Sequence, residues 1–382
     1  MTNVKPRRHA EIAGGGIAGL TAAIALAQRH WTVRVHERSP ALRPEGAGIY
    51  IWENGLRVLT AIGAHDEAVA GCHRGWMRET RDDRNRVVAV ARWSAEPGRR
   101  VVSVARMQLL RALFRRAQEL GVEIEFGGEA VAAQPDGELV LSGGERRKAD
   151  LVIAADGINS KVRDSLGLLR SRKRHADGAI RLMIPRLAAE RSTDEGRKYI
   201  EYWSGFRRIL YTPCSADDLY LALTTLDRDE AGKRLPLDKA AWTRSFPHLA
   251  ALIDRIGDGA RWDCFETVKL TQWSRGRVAI IGDAAHAQAP NLGQGGGCSL
   301  MNALALAVTL DETESIEEAL QRWEQRERPL TDHTQRVSAL YSKVTTLPPL
   351  LRSVTLNWLG KSRWAMSQRM RTAFHVPTGT AG

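Results

Sequence analysis

Three glycines near the N-terminus have the spacing that lets a backbone approach a phosphate. Gly14, Gly16 and Gly19 form the pattern G-x-G-x-x-G between an apolar segment at 10–13 and a helical segment at 20–28. In this pattern the first glycine permits a tight turn, the second lets the backbone approach a pyrophosphate, and the third lets helix and strand pack closely. The helix N-terminus attracts the negative charge. These residues therefore predict a dinucleotide site.

An acidic residue follows the glycines at the distance that such a site requires. The segment 32–37 alternates apolar and polar residues and ends at Glu37, 18 positions after Gly19. A carboxylate at the end of the second strand can accept hydrogen bonds from both ribose hydroxyls of an adenosine. Glycines also occur in ordinary turns, but strand, helix and acid together favour a βαβ unit that binds a dinucleotide.

Two other apolar segments end in aspartate, as buried parallel strands do where their tips meet a ligand. One runs from 150 to 155 and continues as D-G-x-x-S-x-x-R from Asp156 to Arg163. The other runs from 277 to 281 and leads to Asp283 and Pro290. Glycines then precede a helical segment at 299–310, namely Gly293, Gly295, Gly296 and Gly297. Backbone N–H groups at such a helix N-terminus suit an anion or a developing negative charge.

Composition and charge narrow the class of protein without choosing a partner. The 382 residues are 43% hydrophobic and 26% charged, which is typical of folded globular chains and excludes a disordered or fibrous protein. The formal net charge of +12 suits nucleic acid, a membrane surface or an anionic small molecule. Because the basic residues are spread along the chain, a solvated surface explains them as well.

The cysteines and the hydropathy pattern favour a cytoplasmic setting. Four cysteines lie far apart without a C-x-x-C pair, which gives no support for a metal site or a redox dithiol. No run of eighteen apolar residues is present, so we expect no membrane span. We also expect no metal and no nucleic-acid partner.

Patterning along the chain indicates two interleaved domains. Residues 71–99 are polar and irregular, 107–120 have helical spacing, and 180–225 alternate apolar and polar residues at hairpin spacing. The alternating part predicts a mainly antiparallel sheet. We assign 1–70, 100–175 and 270–330 to the dinucleotide domain, 71–99 and 176–269 to a substrate domain, and 331–382 to a C-terminal helical segment.

Taken together, the glycine pattern with Glu37, the stretch Asp156 to Arg163 and the G-D-A-A-H stretch Gly282 to His286 resemble the class A flavoprotein monooxygenases of the p-hydroxybenzoate hydroxylase fold. Within that family the chain is most similar to the pyridine-ring enzymes, such as 2-methyl-3-hydroxypyridine-5-carboxylic acid oxygenase. The resemblance implies an α/β fold in which a Rossmann-like FAD-binding domain is interleaved with a mainly antiparallel β-sheet substrate domain, followed by C-terminal helices.

The resemblance also assigns roles to individual residues. FAD would contact Gly14, Gly16 and Gly19 at the first turn, Glu37 at the adenosine ribose, Arg43 and Arg106 along the ribose and ribityl region, and Asp156 near the diphosphate. Asp283 would lie at the ribityl chain and Pro290 at the flavin edge, while Gly293, Gly295 and Gly296 would stabilise negative charge on the reduced ring. We expect NADH or NADPH as a transient reductant.

The implied reaction is oxygen transfer from a flavin C4a-hydroperoxide to an anionic hydroxylated aromatic or pyridine carboxylic acid, with O2 consumed and with ring opening as an alternative outcome. We predict catalytic roles for Arg208, Tyr220, Pro290 and Gly295. A guanidinium suits a carboxylate or an oxyanion, and a phenol can bond a ring hydroxyl. The predicted substrate contacts are Tyr50, Trp52, Trp76, Trp203, Arg208 and Tyr220. An arginine on a solvated face and tyrosines in the core are the alternatives.

Two rival functions remain open at this point. One is a flavoprotein of the same fold that acts on a larger substrate or as an oxidase. The other is a nucleic-acid or membrane binder that uses the basic tail from Lys343 to Arg371. Its Trp358, Trp364, Met366 and Met370 have near-helical spacing, which is more typical of a helix packed on the body or on a second subunit of a homo-oligomer.

Overall fold

The computed structural model describes residues 7–42, 47–93 and 98–381. Up to residue 165 the elements in chain order are β1 (His9–Ala13), α1 (Ile17–Ala27), β2 (Thr32–Glu37), β3 (Gly48–Trp52), α2 (Glu53–Ala61), α3 (His65–Ala68), β4 (His73–Arg74), β5 (Met77–Arg81), β6 (Val87–Arg92), β7 (Val101–Ala105), α4 (Arg106–Glu119), β8 (Glu123–Phe126), β9 (Ala130–Gln134), β10 (Glu138–Leu141), β11 (Arg146–Lys148), β12 (Leu151–Ala154) and α5 (Lys161–Ser165).

The remaining elements are β13 (Leu169–Pro185), α6 (Ala188–Ser192), β14 (Tyr199–Ser204), β15 (Arg207–Pro213), β16 (Asp218–Leu226), α7 (Glu230–Lys233), α8 (Lys239–Ser245), α9 (Ala250–Asp254), β17 (Arg261–Leu270), β18 (Ser274–Arg275), β19 (Val278–Ile280), α10 (Asp283–His286), α11 (Gly295–Glu312), α12 (Ile316–Thr345), α13 (Pro349–Lys361) and α14 (Arg363–Met370). Short 3-10 helices lie at Glu195–Arg197, Pro247–Leu249 and Pro290–Leu292.

The three apolar segments that the sequence singles out lie side by side in one sheet. Its order is β18-β19-β12-β1-β2-β8, and all pairings except that of β18 with β19 are parallel. β12 and β19 are buried along their whole length, which explains their uninterrupted apolar sequence. Because parallel strands end at the same edge, the turns after β1, β12 and β19 meet there. The predicted α/β fold class is confirmed.

A second sheet holds the predicted antiparallel region. Its order is β17-β13-β16-β15-β14-β5-β6, with β14 and β5 paired in parallel and the other strands antiparallel. One face packs on α8 and α9 through residues such as Leu221, Trp242 and Phe246. The opposite face meets the first sheet at its carboxyl edge.

Residues 71–99 differ from the irregular structure that we expect from their polar sequence. β5 and β6 form a hairpin on the edge of the second sheet. β5 buries Glu79 and Arg81, which bond each other at 2.6 Å, and the Lys198 ammonium donates to Glu79 at 2.8 Å. Buried ion pairs therefore replace the apolar alternation that usually marks a strand.

The C-terminal helices pack across both sheets. α12 runs through the boundary that we set at residues 330 and 331, with Pro329 inside the helix. After α14 the chain returns to the start of α2, where the Asn54 N–H donates to the Ala373 carbonyl at 3.1 Å. Within the described residues, no helix has the length and hydropathy needed to cross a membrane.

Candidate active site

The first turn of the parallel sheet has the geometry that its glycines predict. Gly14 has φ +103°, and a Cβ there would lie 2.4 Å from the Ala155 carbonyl oxygen. A Cβ on Gly19 would lie 2.0 Å from the Gly14 carbonyl oxygen, so Gly19 acts behind the turn as a packing residue. A Cβ on Gly16 would meet no atom within 4 Å. Of these three glycines, Gly16 is the one whose missing side chain leaves open space beside the backbone, where a ligand can approach.

That open space belongs to a cavity of about 240 Å³ at the carboxyl edge of β1, β2 and β12. Glu37 lies in its wall and holds the glycine turn. Its carboxylate accepts from the Gly15 N–H at 2.9 Å and from the Ser39 N–H at 3.0 Å. The predicted cofactor contacts that line this cavity are Gly14, Gly16, Glu37, Arg106 and Asp156. Arg43 lies outside the described residues.

The D-G-x-x-S-x-x-R stretch ties two strand ends together. The Ser160 hydroxyl caps α5 by accepting from the Arg163 N–H at 2.9 Å. The buried Arg163 guanidinium donates to the carbonyls of Ile158 at 3.0 Å and Ala284 at 3.2 Å. Asp156 keeps one buried oxygen, Oδ1, without a hydrogen-bond partner, and burial raises the pKa of its carboxyl. Such an atom needs a ligand or water.

A larger cavity of about 450 Å³ continues from the first. The two share Gly16, Ala155, Gly157 and Arg106 in their walls, so they form one elongated cleft. Asp283 lines the larger cavity, and its side chain is open to that space. The surrounding protein desolvates this carboxyl and raises its pKa against the attraction of Arg106 and Arg181. A carboxyl in this position can accept hydrogen bonds from ligand hydroxyls.

The glycine-rich turn before α11 forms one wall of the larger cavity. Gly293 has φ +61°, a left-handed conformation that favours glycine, and Gly295 and Gly296 begin the helix. A Cβ on Gly295 would meet no atom within 4 Å, whereas one on Gly296 would touch Ile49. The free N–H groups at this helix start and Pro290 therefore border the cavity.

The opposite wall is strongly cationic. Four arginines from separate elements line it, together with one acid, Glu201; the arginines are Arg78, Arg181, Arg208 and Arg369. Burial opposes ionisation of Glu201, but Arg208, Arg78 and Arg369 hold the pKa of its carboxyl below the ordinary value. Burial and repulsion from Arg78 lower the pKa of Arg369 to about 10. The wall thus carries more positive than negative charge.

Arg208 is held from two sides. Its Nη1 donates to Glu201 Oε1 at 3.1 Å, and its guanidinium lies 5.0 Å from the ring centroid of Trp203. The Arg352 guanidinium packs against the same indole at 4.4 Å. Trp203 therefore supports Arg208 through a cation–π stack instead of forming a wall of the cavity.

Aromatic and apolar side chains form the far end of the cavity. Trp52 packs edge-on against Trp93, with ring centroids 5.5 Å apart, and Tyr50 packs edge-on against Tyr199 at 5.1 Å. The Tyr50 hydroxyl bonds Thr212 Oγ1 at 2.5 Å. The remaining apolar residues of this end include Ala91, Val101, Met366, Met370 and Ala373.

Most of the predicted substrate contacts converge on the larger cavity. Tyr50, Trp52, Arg208 and Tyr220 all line it, and burial raises the pKa of the Tyr220 hydroxyl to about 12. Trp76 and Trp203 lie elsewhere. Trp76 precedes β5 and is 43% exposed, because the chain turns outward at the edge of the second sheet.

Sequence reasoning missed several residues of the cavity. Arg181 belongs to the alternating segment 180–185. A charged residue between apolar neighbours in such a strand could have been predicted to face the cavity. Arg78 and Glu201 lie on strands whose pairing is not visible in the sequence. Arg369 and Met370 come from α14, more than 140 residues away from any other part of the arginine-rich wall.

The cleft suits FAD in shape and in chemistry. It has two joined parts, open backbone at Gly16 and Gly295, and an unpartnered acceptor at Asp156. Glu37, Arg106 and Asp283 supply polar groups along its length. A dinucleotide turn at one end of the cleft and a cavity of about 450 Å³ beside a helix N-terminus at the other fit the class of flavin-dependent oxidoreductases.

Comparison with known proteins identifies the family. A family model described as "FAD binding domain" matches residues 8–338, and the chain belongs to this family of class A flavoprotein monooxygenases. The resemblance drawn from the sequence motifs is therefore confirmed. The protein is an FAD-dependent monooxygenase.

Several relatives are similar over nearly the whole chain. A putative 2-heptyl-3-hydroxy-4(1H)-quinolone synthase of Rhodococcus erythropolis is 45% identical, with 97% of each chain covered. A 2-heptyl-3-hydroxy-4(1H)-quinolone synthase of Mycobacteroides abscessus is 42% identical, with 95% of this chain and 97% of the relative covered. The solved tetrameric form of 2-methyl-3-hydroxypyridine-5-carboxylic acid oxygenase is 41% identical with a TM-score of 0.87, and covers 98% of this chain and 100% of its own.

Proposed function

We propose that this monooxygenase uses NAD(P)H and O2 to insert one oxygen atom into a planar, electron-rich ring that carries an anionic group. The observation that supports this most directly is the charge of the cavity. Five arginines and two acids, Asp283 and Glu201, line a cavity that continues into the cofactor cleft. An anionic ligand would offset this excess of buried positive charge. Hydroxylated aromatic and pyridine carboxylic acids are planar and carry the negative charge that this cavity favours.

Bound FAD supplies the oxygen-activating chemistry, and the chain's own residues bind and orient the ring. Arg181 and Arg208 would hold the carboxylate or ring oxygen, because a guanidinium donates two parallel hydrogen bonds to such groups. The N–H groups at Gly295 and Gly296 would stabilise negative charge at the flavin edge. Trp52 and Tyr50 would stack on the ring and exclude water, which would otherwise divert activated oxygen to hydrogen peroxide.

A second candidate substrate is a 4(1H)-quinolone with an alkyl chain, and two observations favour it. Relatives at 45% and 42% identity are named as 2-heptyl-3-hydroxy-4(1H)-quinolone synthases. The far end of the cavity is also apolar, with Val101, Met366 and Met370 in its wall. Methionine side chains adapt to flexible apolar groups, so this end could hold an alkyl chain.

The surroundings of the site bear on the remaining hypotheses. Cys72, Cys214, Cys264 and Cys298 are all free, which supports the proposed cytoplasmic location.

The tetrameric relative supports a homo-oligomer. Met366, Arg369 and Met370 of the basic tail face the cavity, so this part of the tail has a use other than binding nucleic acid or membranes.

The test uses the purified holoenzyme. We expect a yellow protein whose NADH or NADPH consumption rises at least tenfold with one member of a panel of hydroxypyridine carboxylates, hydroxybenzoates and 2-alkyl-4(1H)-quinolones. With 18O2, mass spectrometry of the product should show one labelled oxygen and should also report ring opening. NAD(P)H consumption that no ring compound stimulates, or oxygen recovered entirely as hydrogen peroxide, would contradict the proposal.

A further inference from the structure

The carboxylate in the ring-binding cavity is not explained by an anionic substrate. Glu201 lies on β14, lines the cavity, and its side chain is 13% exposed. A negative charge here repels the very group that the arginines attract. The Arg208 guanidinium also stacks on Trp203, so Glu201 is one of two groups that hold it. Besides this role as a counter-ion, the acid has acceptor positions that an incoming ligand can use.

The hydrogen bonds of Glu201 leave it with unused capacity. Oε1 accepts from Arg208 Nη1 at 3.1 Å, and no protein donor to Oε2 is found within the described residues. Arg78 and Arg369 are close enough to influence the carboxylate electrostatically. An ionised carboxylate offers about four acceptor positions, so at least one remains for a ligand. When a ligand expels the water from the cavity, an acceptor without a donor becomes costly.

We propose that Glu201 accepts a hydrogen bond from a ring N–H of the substrate, and thereby selects N-heteroaromatic rings of the pyridone or quinolone type over carbocyclic rings. This inference rests on the proposed function. Such rings combine a donor N–H with an oxygen acceptor. The N–H can bond to Glu201 and the oxygen can bond to the arginines, so both kinds of charged group in the wall have a partner on the ligand. The low pKa of Glu201 suits an acceptor that stays ionised, and it makes the residue a weak proton acceptor.

The same hydrogen bond would help the reaction. In a 4-pyridone or 4-quinolone the nitrogen lone pair is conjugated with the carbon next to the carbonyl, which is the nucleophilic position of the ring. A carboxylate bonded to the N–H increases electron density there, while arginine donors at the carbonyl oxygen fix the ring in the plane. Glu201 is thus a substrate-binding residue that also activates the carbon that receives oxygen.

The experiment compares ligands that differ at one ring atom. Dissociation constants of the FAD-loaded protein are measured by isothermal titration calorimetry for 4(1H)-quinolone, its N-methyl derivative and chromone, which has oxygen in place of the N–H. The wild type should bind the quinolone about tenfold or more tightly than either analogue, because these leave the buried acceptor unpaired. Glu201→Gln should reduce this preference to roughly threefold or less, since a neutral amide oxygen is a weaker acceptor.

A matched control separates this effect from general damage to the sheet. Glu266 is also paired with an arginine, Arg172, on the second sheet, but lies outside the cavity walls. Glu266→Gln should retain the wild-type preference, and FAD content and melting temperature verify folding in both variants. If Glu201 only positions Arg208, all three ligands will weaken equally in Glu201→Gln, and the proposal is wrong.

The outcomes also separate this proposal from the proposed function. A wild type that oxygenates ring compounds but binds quinolone and chromone equally contradicts the role of Glu201 alone. A wild type that binds none of the three ligands and is stimulated by no ring compound contradicts the proposed function, and the role of Glu201 with it.

Discussion

The two ends of the cleft are built in different ways. The end that we propose for the adenosine and diphosphate of FAD, the cofactor end, is lined in large part by the glycine turn at 14–16 and by the turns after β2 and β12. The end that we propose for the substrate ring, the ring end, has the glycine turn before α11 on one side and side chains from β3, β5, β13, β14 and α14 on the other. A backbone site depends on local conformation, whereas a side-chain site depends on how distant segments meet.

This difference indicates how each end can change. At the cofactor end, Gly14 and Gly19 have backbone atoms within 2.5 Å of the place of a Cβ, so substitution disturbs the fold itself. At the ring end, Arg78, Glu201 and Met370 each occupy part of a wall, and a substitution alters the ligand preference without moving the strands. The cofactor can therefore stay the same while the substrate differs between relatives.

The largest effect is expected at Gly16, where a side chain would enter the cleft without touching the protein. Gly16→Ala should fold normally but bind FAD about 100-fold more weakly, a loss of about 3 kcal/mol from a methyl group forced against the diphosphate. Fluorescence titration of the apoprotein with FAD measures this. Gly143→Ala is the control, because its Cβ also meets open space but lies outside the cleft.

Unchanged FAD affinity in Gly16→Ala would show that the diphosphate does not approach this turn. The view that the cofactor end of the cleft is formed by backbone turns would then be wrong for the turn that contains Gly16. A variant that does not fold would instead contradict the observation that this glycine borders open space, and circular dichroism distinguishes the two results.

The next effect is expected at the ring end. Arg208→Ala should lower kcat/KM about 10- to 100-fold, or about 1.4 to 2.8 kcal/mol, because it removes a charged donor and leaves Glu201 without its partner. FAD affinity should change less than threefold. Steady-state kinetics and FAD titration of the same preparation measure both quantities.

Arg228→Ala serves as the control for this variant. Arg228 is exposed in the turn after β16, a strand of the same sheet, and packs against Phe206, with the guanidinium 5.9 Å from the ring centroid. Its loss should leave kcat/KM and FAD affinity unchanged. Loss of FAD affinity in Arg208→Ala would mean that the two ends are not separable.

The smallest effect concerns His286, which follows the Asp283 motif but faces the core. Burial lowers the pKa of this imidazole to about 4, and Asn302 Nδ2 donates to its Nε2 at 3.0 Å. The unfolded chain therefore binds the proton more readily, and stability falls as the pH drops below about 6.5. The expected loss from this residue is about 1 kcal/mol between pH 6.5 and 5.5.

Urea unfolding at both pH values measures this, and His286→Gln should reduce the pH dependence by that amount. His73, whose pKa burial also lowers to about 4, is present in both proteins and so cancels in the comparison. If the free energy of unfolding has the same pH dependence in both proteins, His286 binds a proton in the folded state as readily as in the unfolded state. The imidazole would then be in contact with solvent and not in the core.

The cofactor end could be predicted because its chemistry follows local sequence. Residues 9–37 form a strand, turn, helix and strand in one stretch, and the spacing of the glycines and Glu37 alone indicates both conformation and ligand. Asp156 and Asp283 follow short apolar segments of the kind that form buried parallel strands. Their convergence follows because parallel strands carry their carboxyl ends to one edge.

The ring end could be predicted only in part. Arg208 and Tyr220 lie on alternating strands, so the sequence indicated the face of the sheet that they occupy. Trp203 occurs in the same kind of pattern, but it stacks on Arg208 and does not line the cavity. β5 was missed because its buried positions are ion-paired instead of apolar.

The sequence by itself therefore determined the dinucleotide turn, the class of fold and the family, since each rests on motifs whose own residues are close together in the chain, even where the motifs lie far apart. Only the tertiary structure brought Arg369 and Met370 of the C-terminal helix to the cavity that begins at Gly16, and only it set Glu201 beside Arg208. The physical reason is that side-chain contacts between distant segments arise from packing of whole elements, and no local spacing in the sequence encodes them.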